Sequence, residues 1–360
     1  MTHIKGWCPG ALRPMESGDG WVVRVRPNGG RLSAAQVVGI ADAARDFGNG
    51  RIDLTGRANV QLRGVTPDTH RPLIDALRHL GLIDDDIAAE TRRNIIVTPF
   101  ADTDTDRIAA ELAAALRICD LTLPAKFGFA VDTGAAPVLT QTPADIRIER
   151  SDAGLILRAD GMARGAAYRG ADDAIALARW FLEQGGVTDG RGRMAALTAR
   201  VQPPADLIPR AGVAPPGPGP TPQGDLVAFE FGQTDADTLR ALGAMRVTPW
   251  RMVLVEHAPD HPGLIRDPAD PRLRVMACTG APGCPQAHAA TRPLARTLAP
   301  LIADGDILHL SGCAKGCGWP ARADVTLTAT PQGWDLIRQG RAGDPPVMRD
   351  LSPDQLPEVL

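Results

Sequence analysis

The chain has 360 residues, which at roughly 150 residues per domain suits two hydrophobic cores rather than three. Hydrophobic residues make up 44% of it and no apolar run approaches the ~20 residues that span a bilayer, so a soluble globular protein is expected. A formal net charge of -3 argues against bulk nucleic-acid binding, which needs a basic domain.

In chain order, the opening MTHIKGWCPG lacks a basic region followed by an apolar stretch, so no secretory signal is expected and a cytoplasmic location is. A strand is predicted at residues 21–26. A helix follows near 33–47, with Ser33 as N-cap and Gly48 as stop. A strand over 58–65 and a short helix over 71–80 complete a β-α-β-α unit of the ferredoxin-like type. Next come an apolar strand at 95–97, an alanine- and leucine-rich helix at 106–118, strands near 127–131 and 155–158, and a helix near 173–183.

Residues 203–224, with eight prolines and four glycines, exclude helix and central strand and read as a linker or surface loop. Beyond it the order recurs: a strand at 226–231, a helix at 235–242, a strand at 247–256, another at 273–276 and a helix near 286–302. HLSGCAKGCGWPARADVTLT then takes the place of LPAKFGFAVDT. This is an internal duplication of an α+β unit about a pseudo-two-fold axis, with a shared cleft for a large ligand. The expected organisation is a ferredoxin-like half-domain at 1–80, an α/β domain at 81–202, the linker, a second half-domain at 225–265 and a second α/β domain at 266–360.

Four of the six cysteines fall in the last quarter, a cluster that in a reducing compartment points to metal or catalysis before disulfides. Cys278 and Cys284 are separated by five intervening residues in CTGAPGC, and Cys313 and Cys317 by three in CAKGC. Four such thiolates suit an iron–sulfur cluster or a structural zinc. The wide first pair and Gly280, Gly283, Gly312, Gly316 and Gly318, which let backbone N–H groups turn toward sulfur, favour a [4Fe-4S] cluster in the second α/β domain. Cys119, at a helix end, reads as core; Cys8, in GWCPG, reads as a buried thiol or as a group approaching the ligand. The seven histidines form no metal-ligand pattern, and no glycine-rich dinucleotide fingerprint is present.

In LTGRANVQLRGV, Arg57, Asn59, Gln61 and Arg63 recur at every second position and would share one strand face. The matching face of the second copy carries Trp250, Met252, Leu254 and Glu256. A solvated sheet face would explain the first set, whereas the asymmetry between copies favours a surface facing a ligand rich in carboxylates, which arginine forks bind well. Only three of the 39 basic residues are lysine (Lys5, Lys126 and Lys315), and Lys126 stands in the apolar run LPAKFGF.

This pattern resembles the sulfite and nitrite reductase family, whose members hold a [4Fe-4S] cluster beside a sirohaem. The cysteine pairs match that family's cluster motif at Cys278, Cys284, Cys313 and Cys317, and Arg57, Arg93 in RRN and Lys126 match basic positions that bind the anion and tetrapyrrole carboxylates. The family carries a second lysine two residues beyond Lys126; here Gly128 stands there, which speaks against reduction of an inorganic anion. A closer likeness, in GWCPGALRPMESGDGWVVRVRP, LPAKFGFAVD, SGCAKGCGWP and WDLIRQGRAGDPP, is to the precorrin-3B synthase branch of aerobic cobalamin biosynthesis. That resemblance implies a monooxygenase that hydroxylates precorrin-3A at C20 with γ-lactone formation. It implies dioxygen, an external electron donor, the cluster and a mononuclear non-haem iron as further participants. Two alternatives stand beside it: a small sirohaem-dependent reductase, and a non-catalytic iron–sulfur or tetrapyrrole-binding protein.

Overall fold

A computed structural model describes residues 9–360, and four five-stranded sheets organise them. The first sheet is antiparallel and runs Met15–Ser17, Gly20–Val25, Val60–Val65, Arg51–Leu54, Gln233–Asp235. The second runs Gly219–Thr221, Gly224–Ala228, Met252–Val255, Met245–Val247, Arg31–Leu32. Each thus takes its last strand from the other half of the chain, a reciprocal exchange that welds the two ferredoxin-like units. One continuous core follows, with Val23, Ile52 and Leu62 from the first unit and Val227, Leu239 and Val253 from the second.

The third and fourth sheets repeat one topology. Ile95–Val97, Phe129–Asp132, Ile146–Ser151, Gly154–Ala159 and Ala166–Ala167 pair parallel, parallel, antiparallel, antiparallel. Val275–Ala277, Leu308–Ser311, Ala323–Ala329, Trp334–Gly340 and Met348–Leu351 do the same. The duplication inferred from element order is therefore built into the strand connectivity, in an α+β fold. It also fixes the equivalence more sharply. The loop of Cys313 and Cys317 follows its strand, whereas Lys126 precedes the matching strand, so these segments lie at opposite ends of equivalent strands and are not counterparts.

Local signals explain most elements. The helix Ala34–Phe47 starts at a capping box, in which Ser33 and Gln36 satisfy each other's backbone N–H groups, and buries Val37, Ile40, Ala41 and Ala44 at helical spacing. The helix Pro67–His79 begins before the expected position 71, because Thr66 caps it and Pro67 at the first position loses no donor it needs.

Other expectations are corrected. The strand expected at 58–65 begins at Val60, since Arg57 and Ala58 (φ 53) form a tight turn. The strand expected at 247–256 is two strands, Met245–Val247 and Met252–Val255, joined through Arg251 at φ 61, so Trp250 is off the strand. The helix expected over 286–302 is confined to Thr291–Leu298. The proline-rich stretch is a strap rather than a free linker: Leu207 bridges Gly165, Pro209 bridges Ser151, and Gly219–Thr221 is an edge strand.

Candidate functional site

A cavity of about 860 Å³ lies between the first sheet and the cysteine loops of the fourth. Cys278, Cys284, Cys313 and Cys317 all line it, and all are free thiols. Backbone hydrogen bonds shape their loops. Cys278 N–H donates to Leu310 O (3.2 Å), Cys284 N–H to Gly280 O (2.8 Å), and His288 N–H to Gly312 O (2.8 Å), which ties one cysteine pair to the other. Gly312 N–H donates to Cys278 Sγ at 3.2 Å. A side chain at Gly312 would meet Ala287 Cβ at 2.6 Å, so this close approach needs glycine.

Burial pushes the Cys317 thiol up; Lys315 partly offsets this, and the charges of Cys313, Cys278 and Cys284 add to it. Among the described residues, no three His, Cys, Asp or Glu side chains converge closely enough to hold a single metal ion. Thiols spread around a cavity, with an N–H already on one sulfur, fit a polynuclear cluster better than a lone zinc.

The structure divides the six residues expected to bind a substrate. Gln61 and Arg63 line the cysteine cavity, while Val60 and Leu62 face the core, as alternation requires. Arg63, however, is already engaged. Its Nε and Nη2 grip Asp19 at 2.7 and 2.6 Å, Nη1 reaches Asp53 at 2.9 Å, and Nη2 reaches Ser17 Oγ at 3.0 Å. Burial opposes both charges, yet the pairing wins: Arg63 is held above the usual arginine range and Asp19 below the usual carboxylate range. Arg63 shapes the wall rather than offering a free fork. Gln61 Oε1 accepts from Arg24 Nε and Nη2 at 3.0 and 2.7 Å, which fixes its amide.

The other four lie elsewhere. Asn59 is buried in the turn before the strand. Arg57 Nη1 rests against the 126–128 loop, where a Cβ on Gly128 would meet it at 3.1 Å and Asn94 Nδ2 at 2.7 Å. A second lysine at 128 would therefore displace Arg57 and Asn94. Lys126 is exposed, on a turn closed by Phe127 N–H to Pro124 O. Arg93 is bidentate to Asp84 (2.6 and 2.8 Å) and lines a separate cavity of about 520 Å³, so it does not share the cysteine site. Cys119 packs against the core of the third sheet, as expected, while Cys8 and Lys5 lie outside the described residues.

Several further residues line the wall. Met15, Glu16, Ser17 and Trp21 come from the MESGDGW hairpin, whose Gly–Asp–Gly turn is the signal that could have placed it. Lys315, exposed between the second pair of cysteines, lines the same cavity.

Comparisons with known proteins agree with this geometry. The profile of the nitrite/sulfite reductase ferredoxin-like half domain matches residues 13–80. The chain is 24% identical to the ferredoxin–nitrite reductase of Synechococcus elongatus, over 99% of this chain and 88% of that protein. Its fold is similar to that of Mycobacterium tuberculosis NirA, with a TM-score of 0.63 at 18% identity, covering 94% of this chain and 79% of that one. These likenesses define the class, a duplicated sulfite/nitrite reductase-like fold. The chain is also 32% identical to a precorrin-3B synthase from Sinorhizobium sp, over 95% of this chain and 84% of that protein. Within the class, the chain belongs to the precorrin-3B synthase family. Among the described residues, no helix is long and apolar enough to cross a membrane.

Proposed function

We propose that this chain hydroxylates precorrin-3A at C20 with dioxygen, closing a γ-lactone from the ring A acetate and drawing electrons from an external donor. The similarity to the Sinorhizobium protein, over 95% of this chain and 84% of that one, supports the reaction class. The observation that carries the site is the cavity itself. Four thiols stand on one wall, an amide and a fixed guanidinium on the other, and about 860 Å³ lies between, a volume suited to a large organic ligand.

Cys278, Cys284, Cys313 and Cys317 would hold a [4Fe-4S] cluster, which supplies single electrons when bound. The remaining steps belong to the chain. Gly312 N–H holds the Cys278 sulfur in place. Gln61, anchored by Arg24, presents its amide to the macrocycle. Trp21 gives an apolar flank, and Lys315 brings a mobile ammonium to a substrate carboxylate. Arg57 packs against Gly128 where the reductases place a lysine, and its guanidinium crowds the position that the second lysine would take. A mononuclear non-haem iron belongs to the same proposal, but its ligands are not assigned.

The test is the visible spectrum of anaerobically purified protein, followed by turnover with precorrin-3A, dioxygen and a reductant. Broad cluster absorption and a product heavier by one oxygen, bearing a lactone, are expected. Sirohaem bands, or no oxygenated product from iron-replete protein, would refute the reading. At the residue level, Lys315→Met should weaken tetrapyrrole binding roughly tenfold, the loss of one charge-assisted contact of about 1.5 kcal/mol, with iron content unchanged.

A further inference from the structure

The first cysteine turn is seated on the N-terminal end of the helix Thr291–Leu298. Thr291 Oγ1 donates to Cys278 O at 2.7 Å, and a Cβ on Gly280 (φ 66) would lie 2.6 Å from Thr291 Oγ1. The next residue, Arg292, is held from two sides. Its Nη1 donates to Gln233 Oε1, and its guanidinium lies 5.6 Å from the centre of the Phe231 ring. Its Nε is buried without a hydrogen-bond partner, and the group lies close enough to Cys278 and Asp53 to feel their charges. Its hydrogen-bond anchor is an amide rather than a carboxylate, and Asp53, whose charge it feels, is already bonded to Arg63. Arg63, its neighbour, is neutralised by Asp19 and Asp53.

Phe231 strengthens the case. It sits in the left-handed region at φ 58, within a 3-10 turn whose counterpart in the first copy is Gly29 at φ 60. A bulky residue there costs about 1–2 kcal/mol relative to an unstrained backbone. The second copy keeps an aromatic where the first uses glycine, and that ring lies beneath Arg292.

We propose that Arg292 is a positioning residue for the redox state of the four-cysteine site, its fixed cation acting through the Cys278 thiolate to favour the reduced form. The inference rests on the cluster reading above. Reduction adds one electron from the external donor and breaks no bond, so the site becomes more negative by one charge. A cation held nearby favours that added charge and raises the potential. The N-terminal end of the helix acts in the same direction.

The experiment is an EPR-monitored titration of anaerobic holoprotein with dithionite, with iron and sulfide counted for each variant. Arg292→Gln should shift the reduction equilibrium about tenfold toward the oxidised form, about 59 mV more negative for one electron. Arg292→Lys, which keeps the charge, should restore most of the shift. Arg296 is the internal control: it also lies over Phe231, at 5.7 Å, but is exposed and paired with Glu230 at 2.7 Å, so Arg296→Gln should leave the potential unchanged. An unchanged potential in Arg292→Gln, or an equal shift in Arg296→Gln, would overturn the proposal. So would loss of iron from Arg292→Gln but not from Arg292→Lys, which would assign a structural role. Wild-type protein without cluster iron would sink the cluster reading itself, and this inference with it.

Discussion

Replacing Arg63 by leucine separates two roles that its place on the cavity wall leaves open. The guanidinium is 7% exposed and makes four hydrogen bonds, three of them to Asp19 and Asp53, which are 18% and 15% exposed. Leucine would fill part of the volume but leave two largely buried carboxylates without their cation. Breaking a buried pair from one side costs about 3–5 kcal/mol, and residual water at the aspartates places this case near the lower end. Urea unfolding followed by circular dichroism should therefore show Arg63→Leu destabilised by about 3 kcal/mol. Adding Asp19→Asn should recover part of that loss, because the orphan left behind is then neutral. The pH dependence has a definite sign. Arg63 holds Asp19 below the usual carboxylate range, so this contribution is present above about pH 4 and is lost as pH falls through the lowered value. Arg63→Leu should flatten that acid limb. A variant as stable as wild type that fails to bind tetrapyrrole would refute the structural assignment and make Arg63 a ligand fork.

His309 gives a second pH test. It is fully buried on the strand Leu308–Ser311, neither ring nitrogen has a hydrogen-bond partner, and the residues opposite on the flanking strands are Met276 and Thr326. Burial lowers its pKa to about 4, so the unfolded chain takes up the proton first. Stability should be full above about pH 6.5 and fall by about 3 kcal/mol on the way to pH 4. His309→Leu should remove that pH dependence, and equal wild-type unfolding free energies from urea series at pH 5 and pH 8 would contradict this. Gly128→Ala should cost about 1–3 kcal/mol by overpacking. The new methyl would lie 2.7 Å from Asn94 Nδ2, which donates to Phe127 O at 2.8 Å, while Asp145 fixes the backbone at Gly128. A neutral thermal melt would show that the loop yields more easily than its hydrogen bonds imply.

What the sequence made legible follows from the range of the forces involved. The helix Ala34–Phe47 is specified by residues three and four apart, and the strand Ile95–Val97 by a bounded apolar run, so both were readable. The four-thiol wall was readable because cysteine pairs carry their spacing on their face. The split between Met245–Val247 and Met252–Val255 was hidden, since its turn holds Arg251 in the left-handed region without glycine or asparagine to mark it. The fate of the arginines was hidden for a different reason. Arg63 finds Asp19 across 44 residues, and Arg93 finds Asp84 across nine. A face of alternating arginines looks the same in sequence whether its charges await a ligand or are already paired.

Duplication supplies a cleft on each side, and the chain treats the two differently. In one, Gln61 and Arg63 of the first sheet face the cysteine loops of the fourth across open space. In the other, Met252 and Leu254 of the second sheet close with Leu226, Ala228 and Ile265, sealed by Phe100, Trp250 and Leu273. Each large aliphatic side chain buried there stabilises the fold by about 1.5–3 kcal/mol relative to exposure. A polar wall contributes little of that kind, and its charges must be held by partners such as Asp19 and Asp53 merely to avoid a penalty. The filled cleft thus carries stability that the open one does not. That division of labour lets a single fold keep a large open cavity beside four free thiols.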